Sequence, residues 1–252
     1  MAQHNFRQRL LAGNLLLGTM VSLASAEVAE ILDGAGFDWL FLDAEHSPMA
    51  PADLQRMMQG AGRETPCVVR LPLDDDLAIK KALDIGAAGV IVPMVNTAAQ
   101  AAAVVQRAKY PPLGRRGVGL GRAAGYGHAF QAYLDGANEE TAVIVQAEHV
   151  QAVENIAAIV QVPGVDGVLV GPYDLSASMG LMGQVSHNDV HGAIAKVTAA
   201  CREAGVPLGI FGVSAAAVAP YIENGYTLIV AGVDSLFLGG GARDILSQLR
   251  QP

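Results

Sequence analysis

Charged residues are scarce in this chain, because only 16% of its 252 residues are charged and 52% are hydrophobic. Disordered proteins combine low hydrophobicity with high charge, so this composition excludes that class. Basic residues are the rarer sign, with 16 Lys and Arg against 24 Asp and Glu and a net charge of −8. Since nucleic acids and membrane surfaces are anionic, we expect this protein to bind neither of them.

The sequence also lacks a long apolar run. The charge-free stretch 85–106 is interrupted by Pro93 and Asn96, so it is not the apolar segment of roughly 20 residues that spans a membrane. The charge-free stretch 10–26 follows Arg7 and Arg9 and resembles a signal peptide. Glycine and asparagine interrupt its apolar part, however, and we favour a buried first strand followed by a helix.

Cysteine is nearly absent. The two residues present, Cys67 and Cys201, are far apart in the sequence, and neither belongs to a CxxC pair. This usage argues against a disulfide scaffold or a zinc site and indicates buried thiols in a reducing compartment. We therefore expect a cytoplasmic protein.

What the sequence does contain is a repeated alternation of short apolar runs and helical segments. The predicted strands are Leu16–Val21, Trp39–Asp43, Cys67–Leu71, Val90–Val95, Ala142–Gln146, Gly167–Val170, Leu208–Phe211 and Leu228–Ala231. The predicted helices are Ala24–Leu32, Pro51–Gly60, Asp75–Leu83, Thr97–Lys109, Val150–Val160, Asn188–Ala204, Ser214–Glu223 and Ser235–Leu249. Eight such units in about 250 residues predict a (β/α)₈ TIM barrel, forming one domain over residues 1–252. Two connections are longer than this pattern requires, Pro111–Glu140 and Gly171–Ser186.

Polar side chains are concentrated at the carboxyl ends of four predicted strands, where barrels of this class place their active sites. They are Asp43, Glu45 and His46 after the second strand, Arg70 at the third, Gln146 and Glu148 at the fifth, and Tyr173 and Asp174 after the sixth. A single one of these, such as Asp174, could be a helix cap. Together they predict an active site.

Each chemical type in this group has a plausible role. Glu148 and Asp174 follow neighbouring strands and, with water and a chelating substrate, would form the oxygen site that Mg²⁺ or Mn²⁺ prefers. Arg70 offers a planar fork to a carboxylate or an oxyanion. His46 suits acid–base chemistry. The pair His187 and His191 has metal-like spacing, but an exposed first helical turn is the simpler interpretation.

The positions of the lysines restrict the possible reaction mechanisms. The chain has four lysines, all within or at the end of predicted helices: Lys80, Lys81, Lys109 and Lys196. A Schiff-base mechanism needs a desolvated lysine in the mouth of the barrel. Carbonyl chemistry in this protein is therefore expected to be metal-assisted.

Several motifs, found in order over nearly the whole chain, resemble the HpcH/HpaI aldolase family. They are GAGFDWLFLDAEHSP (34–48), VVRLP (68–72), VPMVNTAAQA (92–101), KYPPLGRRGVG (109–119), VQAEH (145–149) and GVDGVLVGPYDLSASMG (164–180). The resemblance implies a class II pyruvate aldolase of the 4-hydroxy-2-oxoheptanedioate or 2-keto-3-deoxy-sugar-acid type. It also implies a divalent cation (Mg²⁺, Mn²⁺ or Co²⁺), and a homohexamer, a dimer of trimers, whose last helix packs on a neighbouring subunit.

The resemblance also implies residue roles. Glu148 and Asp174 would hold the metal, and Gln146 and the backbone around Tyr173 and Asp174 would contact the 2-oxo acid. Arg70 would stabilise the enolate, and His46 would be the base, made more basic by Asp84. Asp84 ends a predicted helix and should lie at the opposite face of the barrel, so this partnership needs a neighbouring subunit or a bent connection. Asp43 is the nearer alternative partner in sequence.

The sequence departs from the family pattern at two positions of these motifs. Ala44 replaces a residue that is often glycine. Tyr173 replaces a residue that is usually small. Its ring could change which 2-oxo acid donor or which aldehyde acceptor the site takes.

Three functions follow as hypotheses. The first is reversible cleavage of a 4-hydroxy-2-oxo acid to pyruvate, or a close 2-oxo acid such as hydroxypyruvate, and an aldehyde (EC 4.1.2 type). The second is a citryl- or malyl-CoA lyase, which the shortage of basic residues for a nucleotide disfavours. The third is a barrel that binds 2-oxo acids without turnover, for which an intact set of His46, Arg70, Glu148 and Asp174 would be unnecessary.

Overall fold

The computed structural model describes residues 5–62 and 64–250, and in it eight parallel strands close into a barrel. Each strand pairs with the next along the chain, and the eighth pairs with the first. The strands are β1 Leu16–Val21, β2 Trp39–Asp43, β3 Cys67–Arg70, β4 Gly89–Val92, β5 Ala142–Ala147, β6 Gly167–Val170, β7 Leu208–Gly212 and β8 Leu228–Val233. The predicted (β/α)₈ barrel is confirmed, and the stretch that resembles a signal peptide contains β1.

Helices surround the barrel and connect its strands. They are α1 Phe6–Leu11, α2 Ala26–Gly34, α3 Pro51–Gly60, α4 Asp76–Asp84, α5 Ala98–Ala108, α6 Phe130–Glu140, α7 Val150–Ile159, α8 Pro172–Ser178, α9 Asn188–Ala204, α10 Ala215–Glu223 and α11 Asp234–Leu249. Polar residues cap several of them in the positions that helix capping favours. Ser25, Asp75, Thr97 and Ser214 each accept a hydrogen bond from a backbone N–H of the first turn.

The strands lack a polar face because both of their faces are covered, as expected for a parallel barrel. Along β2, Trp39 and Phe41 point into a core inside the barrel, whereas Leu40 and Leu42 pack against the surrounding helices. This period of two divides the buried apolar residues into an inner and an outer layer.

Helix α1, which the sequence pattern did not predict, closes the bottom of the barrel. Its side chains Phe6 and Leu10 belong to the inner core, and the Phe6 ring lies 5.5 Å from that of Trp39. The Trp39 indole in turn lies over Gly18 of β1, where a Cβ atom would be 2.5 Å from the ring. Only glycine leaves that space, so the inner core at the bottom of the barrel depends on this contact.

The two long connections are more ordered than the sequence pattern indicated. Residues 111–140 contain a 3₁₀ segment, Arg122–Gly127, and helix α6, and residues 171–186 contain α8. Glycines surround or interrupt these short helices, which obscured their periodicity. The prediction that β4 extends to Val95 was also wrong, because Pro93 ends its hydrogen bonding and Met94 adopts a left-handed backbone with φ of 53°. Among the described residues, no helix has the length and apolar character needed to span a bilayer.

Candidate active site

A cavity of about 290 Å³ opens at the carboxyl ends of the strands, and most of the predicted site residues line it. Its polar side chains come from the ends of β1, β2, β3 and β5 and from α8. Met20, Phe41 and Leu169 of the inner core supply much of its apolar surface. The lining residues are Met20, Ser22, Phe41, Asp43, His46, Arg70, Gln146, Leu169, Val170, Gly171, Pro172, Tyr173, Asp174 and Phe211. A larger open cleft of about 1360 Å³ lies at the opposite end, and none of the predicted site residues lines it.

Arg70 and Asp43 form a buried bidentate ion pair in the cavity wall. They are paired residues on the adjacent strands β2 and β3. Arg70 donates from Nε to Oδ1 and from Nη2 to Oδ2, both at 2.9 Å. Burial lowers the pKa of the guanidinium, but the hydrogen bonds and charge of Asp43 outweigh this effect, and the pKa is raised. Arg70 is therefore a permanent cation, held rigidly with its Cζ 5.2 Å from the centre of the Phe41 ring.

Asp43 also shapes the loop that follows β2. Its Oδ1 accepts hydrogen bonds from the backbone N–H groups of Glu45 at 3.0 Å and His46 at 3.3 Å. The His46 side chain is 63% exposed, lines the cavity, and has its Nε2 3.8 Å from Oε2 of Glu45. Asp43 thus holds both Arg70 and the loop after β2 in place. Among the described hydrogen bonds and ion pairs, none joins the Asp43 carboxylate to the His46 imidazole.

Glu148 is a buried carboxylate directly after β5. Its Oε1 accepts a hydrogen bond from the N–H of Met94 at 2.7 Å, and its Oε2 accepts one from Nε2 of Gln146. The pKa of Glu148 is raised to about 7, mainly by burial, and the charges of Glu45 and Asp174 contribute to this increase. Removing a second negative charge, or adding a positive one, would therefore stabilise the ionised form of Glu148.

A glycine leaves room beside this carboxylate. A Cβ atom at Gly171 would lie 3.0 Å from Oε2 of Glu148 and 3.2 Å from Nε2 of Gln146. Helix α8 starts directly afterwards and places Tyr173 and Asp174 in its first turn at the edge of the cavity. The Tyr173 ring lies 6.3 Å from that of Phe211, so the two rings form an aromatic wall on one side of the cavity.

These oxygen atoms suit a hard divalent cation. Glu148 and Asp174 supply two carboxylates, and Oε1 of Gln146 is buried without a hydrogen-bond partner in the described part of the chain. Within residues 5–62 and 64–250, no three His, Cys, Asp or Glu side chains are arranged to hold a metal. A cation at this position would have two carboxylate ligands, and water and substrate would complete its coordination, as is usual for Mg²⁺.

Asp84 lies far from His46 within the chain. It ends α4, which leads into the amino end of β4, so it lies at the opposite face of the barrel. Its Oδ1 accepts a hydrogen bond at 2.7 Å from Nη2 of Arg116, a buried guanidinium 4.6 Å from the Tyr110 ring centre. The structure does not bring Asp84 and His46 together in one chain, and the implied partnership stays a prediction about neighbouring subunits.

The lysines lie where the sequence placed them, and none is among the residues that line the cavity. Lys109 is buried at the amino end of β5, where its Nζ donates to the backbone oxygens of Asn138 at 2.8 Å and Thr141 at 2.5 Å. Burial lowers the pKa of Lys109 to about 8. This amine supports the bottom of the barrel. The pair His187 and His191 likewise lies at the start of α9, where His187 is the N-cap, as the simpler interpretation predicted.

Three residues with a place in the site were given no role by the sequence. Glu45 was noted at the end of the second strand, but nothing in the sequence distinguished its carboxylate from that of Asp43. Met94 supplies a backbone N–H to Glu148 from a left-handed conformation that methionine rarely adopts. Phe211 ends a predicted strand as an ordinary apolar residue, and only the closed barrel places it opposite Tyr173.

Comparison with known proteins finds relatives that match almost the whole chain. The sequence model of the family described as HpcH/HpaI aldolase/citrate lyase matches residues 17–238. The chain is 39% identical over 237 residues to 4-hydroxy-2-oxovalerate aldolase of Rhodococcus jostii, which covers 93% of this chain and 92% of that protein. It is 36% identical over 251 residues to hydroxypyruvate/pyruvate aldolase of Roseobacter denitrificans, covering 98% of each.

A solved structure shows the same fold over the same length. The crystal structure of an HpcH/HpaI aldolase/citrate lyase family protein from Burkholderia cenocepacia superposes with a TM-score of 0.93 at 39% identity. It covers 97% of this chain and 98% of that one. The family model, the full-length relatives and the shared barrel lead to one conclusion: this chain belongs to the HpcH/HpaI aldolase/citrate lyase family.

Proposed function

We propose that this protein is a metal-dependent class II aldolase, a carbon–carbon lyase that cleaves 4-hydroxy-2-oxo acids reversibly. The products are pyruvate, or a close 2-oxo acid such as hydroxypyruvate, and an aldehyde. The observation that carries the proposal is that Asp174, the fixed guanidinium of Arg70 and the exposed imidazole of His46 line one cavity. The buried carboxylate of Glu148 lies next to it and accepts a hydrogen bond from Gln146 in the cavity wall. The activities named for the full-length relatives support the same reaction type.

The carboxylates Glu148 and Asp174 would hold the divalent cation, Mg²⁺, Mn²⁺ or Co²⁺. When bound, such a cation supplies Lewis-acid polarisation of the 2-oxo group. Gln146, whose Oε1 has no hydrogen-bond partner among the described residues, and the backbone around Tyr173 and Asp174 would contact the 2-oxo acid. The raised pKa of Glu148 supports this assignment, because a buried carboxylate of this kind gains stability from a neighbouring positive charge.

Cleavage requires one proton to move and one carbon–carbon bond to break. His46 accepts the proton of the C4 hydroxyl, the C4 oxygen forms the aldehyde carbonyl, and the C3–C4 bonding electrons pass to the 2-oxo acid as an enolate. Arg70 uses Nε and Nη2 on Asp43, and no described hydrogen bond involves its Nη1, which leaves that group to donate to the enolate oxygen. A proton from water then adds to C3 and releases the 2-oxo acid, and His46 returns its proton to water. A rigid cation opposite a developing oxyanion is the arrangement that lowers such barriers.

Chelation and trapping test this proposal. Purified protein is assayed for pyruvate release from 4-hydroxy-2-oxo acids, before and after EDTA treatment and after readdition of Mg²⁺, Mn²⁺ or Co²⁺. We expect loss of activity on chelation, recovery with metal, and no adduct after borohydride treatment with pyruvate. Activity that survives chelation, or a borohydride-stable lysine adduct, would overturn the proposal.

Two further experiments distinguish the alternative functions from the aldolase. Saturable binding of a CoA thioester would favour a citryl- or malyl-CoA lyase. Absence of both retro-aldol activity and exchange of the pyruvate methyl protons in D₂O with Mn²⁺ would favour a barrel that binds 2-oxo acids without turnover. A barrel that only binds 2-oxo acids does not need the imidazole and the guanidinium to face the same cavity.

The assembly is also a proposal. Helix α11 packs mainly against β1 and β8, and several of its large apolar side chains are exposed: Leu236, Phe237, Leu238, Ile245, Leu246 and Leu249. These side chains suit the packing of α11 on a neighbouring subunit in a homohexamer, a dimer of trimers, in the cytoplasm. A contribution of Asp84 across subunits predicts that mixed assemblies of inactive His46→Ala and Asp84→Asn chains regain activity. Activity that stays lost in such mixtures would contradict that contribution.

A further inference from the structure

Ser22 lines the cavity and has no role in the mechanism described above. It follows β1 directly, and its hydroxyl donates a hydrogen bond of 2.7 Å to Oδ1 of Asp234, the first residue of α11. The lining residues in and directly after β1 and in β7 are Met20, Ser22 and Phe211. Of these three, only Ser22 is polar. A single polar group in an apolar wall is the kind of feature that gives a pocket its specificity.

Asp234 fixes the direction of the Ser22 hydroxyl. Its carboxylate is buried, and its two oxygens accept hydrogen bonds from the backbone N–H groups of Ser22, Leu23 and Ser235 at 2.7–3.0 Å. Backbone N–H groups can only donate, so these contacts hold both oxygens as acceptors, and the Ser22 hydroxyl is the donor in its bond with Oδ1. A serine hydroxyl has one proton and two lone pairs. Because the proton goes to Asp234, Oγ of Ser22 offers hydrogen-bond acceptor positions to a ligand.

Ser22 lies on the side of the barrel away from the proposed cation site. In the closed barrel β1 pairs with β2 and β8, whereas Glu148 and Asp174 follow β5 and β6. His46 follows β2, the neighbour of β1. A 4-hydroxy-2-oxo acid that places its 2-oxo group at the cation and its C4 hydroxyl at His46 therefore directs C5 towards the wall that contains Ser22.

We propose that Oγ of Ser22 accepts a hydrogen bond from a hydroxyl group on C5 of the substrate, and that Asp234 is the positioning residue of Ser22. The site then favours aldehydes with a hydroxyl group next to the carbonyl carbon, such as glycolaldehyde, over their alkyl analogues. A C5 hydroxyl that leaves water gains an acceptor at Ser22, whereas a methyl group leaves the Ser22 lone pairs without a partner. This inference rests on the proposed function for its catalytic consequence only, because ligand binding tests the contact without turnover.

Two ligands that lack a C4 hydroxyl test the contact, because retro-aldol chemistry cannot cleave them. 5-Hydroxy-2-oxopentanoate carries the C5 hydroxyl, and 2-oxohexanoate has a methyl group in its place. Calorimetric titration in the presence of Mn²⁺ gives both Kd values, and ring closure of the free hydroxy acid cancels when two protein variants are compared. Ser22→Ala should reduce the preference for the hydroxy acid by about threefold to tenfold. The Kd of 2-oxohexanoate should stay within about twofold, and an unchanged preference would overturn the proposal.

A fluorinated ligand tests the direction of the hydrogen bond. The fluorine atom of 5-fluoro-2-oxopentanoate is close to a hydroxyl group in size, but it cannot donate a hydrogen bond. If Ser22 is an acceptor, the Kd of this ligand should change by less than about twofold in Ser22→Ala. A loss of affinity equal to that of the hydroxy acid would show that Ser22 donates, and it would overturn the assignment.

Asp234→Asn tests the positioning role. The substitution replaces one acceptor oxygen with a donor, so the Ser22 hydroxyl loses its fixed direction and the preference for the hydroxy acid should fall. In the Ser22→Ala background the same substitution should change the preference by less than about twofold, because it acts through Ser22. An unchanged preference in Asp234→Asn would overturn the role of Asp234.

Ser235→Ala is the matched control. It removes an exposed hydroxyl beside Asp234 and keeps the backbone N–H that Asp234 accepts, so every Kd should be unchanged. If Asp234→Asn accumulates poorly as folded protein, the comparison of Ser22→Ala with Ser235→Ala decides the proposal.

The catalytic consequence is measured in the direction of aldol addition to pyruvate. The ratio of kcat/KM for glycolaldehyde to kcat/KM for propionaldehyde should fall in Ser22→Ala by the factor found in binding. A preference for the hydroxy acid in binding, without any aldol activity, would overturn only the proposed function. Aldol activity with a ratio that does not depend on Ser22 would overturn this inference and leave the proposed function in place.

Discussion

The backbone N–H of Met94 lies 2.7 Å from Oε1 of Glu148, and it reaches that position because Met94 has a left-handed backbone with φ of 53°. Pro93 ends β4 one residue earlier, so the chain turns sharply over the carboxylate. A left-handed conformation costs a non-glycine residue roughly 1–2 kcal/mol. The Met94 side chain is 46% exposed, so it contributes little to the core. The main effect of the left-handed backbone is therefore the hydrogen bond to Glu148.

Met94→Gly should therefore be tolerated, and Met94→Val should not. Glycine adopts the left-handed backbone freely, and relief of strain offsets its greater flexibility in the unfolded chain, for a net change within about 1 kcal/mol. Valine branches at Cβ and should destabilise the protein by about 1 kcal/mol or more at this φ. Thermal unfolding measures the stability of both variants. The affinity for Mn²⁺ should be retained in Met94→Gly. Equal stability of the two variants would show that the backbone strain does not govern this turn.

Glu148 should make the metal-free protein less stable as the pH rises. Burial raises the pKa of Glu148 from 4.5 to about 7, so between these values the folded state binds a proton that the unfolded state has lost. The contribution of protonated Glu148 is complete below pH 4.5 and is lost as the pH rises to about 7, an effect of up to about 3 kcal/mol. Urea unfolding in EDTA at pH 5 and pH 8 should show this difference, and Glu148→Gln should reduce it.

The same proton competes with the divalent cation. Below pH 7 the apparent Mn²⁺ affinity should fall by about tenfold per pH unit, because the ligand must be deprotonated. Asp174→Asn should lower the affinity at every pH. The pH dependence from Glu148 should remain but move to lower pH, because the Asp174 charge contributes to the raised pKa of Glu148. A Mn²⁺ affinity that is independent of pH between 5 and 8 would argue against Glu148 as a ligand.

Arg70→Lys should separate catalysis from metal binding. Lysine keeps a positive charge beside Asp43 but loses the planar fork, so the group that faces the enolate is no longer held in place. We expect kcat to fall by about 10²–10³, as for loss of one oxyanion donor, with Mn²⁺ affinity within about twofold. Arg70→Ala leaves Asp43 buried without its partner and should also destabilise the protein by about 3–5 kcal/mol. A kcat for Arg70→Lys close to that of the wild type would remove Arg70 from the proposed mechanism.

The barrel was predictable because eight apolar runs, covered on both faces, each return through a helix. Helices α1 and α8 were missed because 6 and 7 residues show little periodicity. Helix α6 was missed because it follows a glycine-rich segment and contains Gly136. Most candidate side chains were found from strand ends alone, since the fold requires those ends to meet at one face. Asp84, which ends α4, was named only through the family resemblance. Partnerships were harder to predict: Asp43 lies close to His46 in sequence, but the strand register gives its carboxylate to Arg70. The left-handed turn at Met94 has no sequence signal.

Tyr173 should restrict the substrates that the cavity accepts. Its ring packs 6.3 Å from Phe211 and is 41% exposed at the cavity edge, so truncation enlarges the cavity at little cost in stability. We compare kcat/KM for 4-hydroxy-2-oxo acids that have large C4 substituents with kcat/KM for the acid that has the smallest C4 substituent. Tyr173→Ala should raise this ratio by about tenfold. One methylene in such a pocket changes discrimination between substrates by about 10–200-fold. A substrate series with increasing chain length measures this ratio. Tyr126→Ala is the matched control, because Tyr126 is also exposed but lines the opposite cleft, and it should leave the ratio unchanged. An unchanged ratio in Tyr173→Ala would mean that the aromatic wall does not contact the C4 substituent.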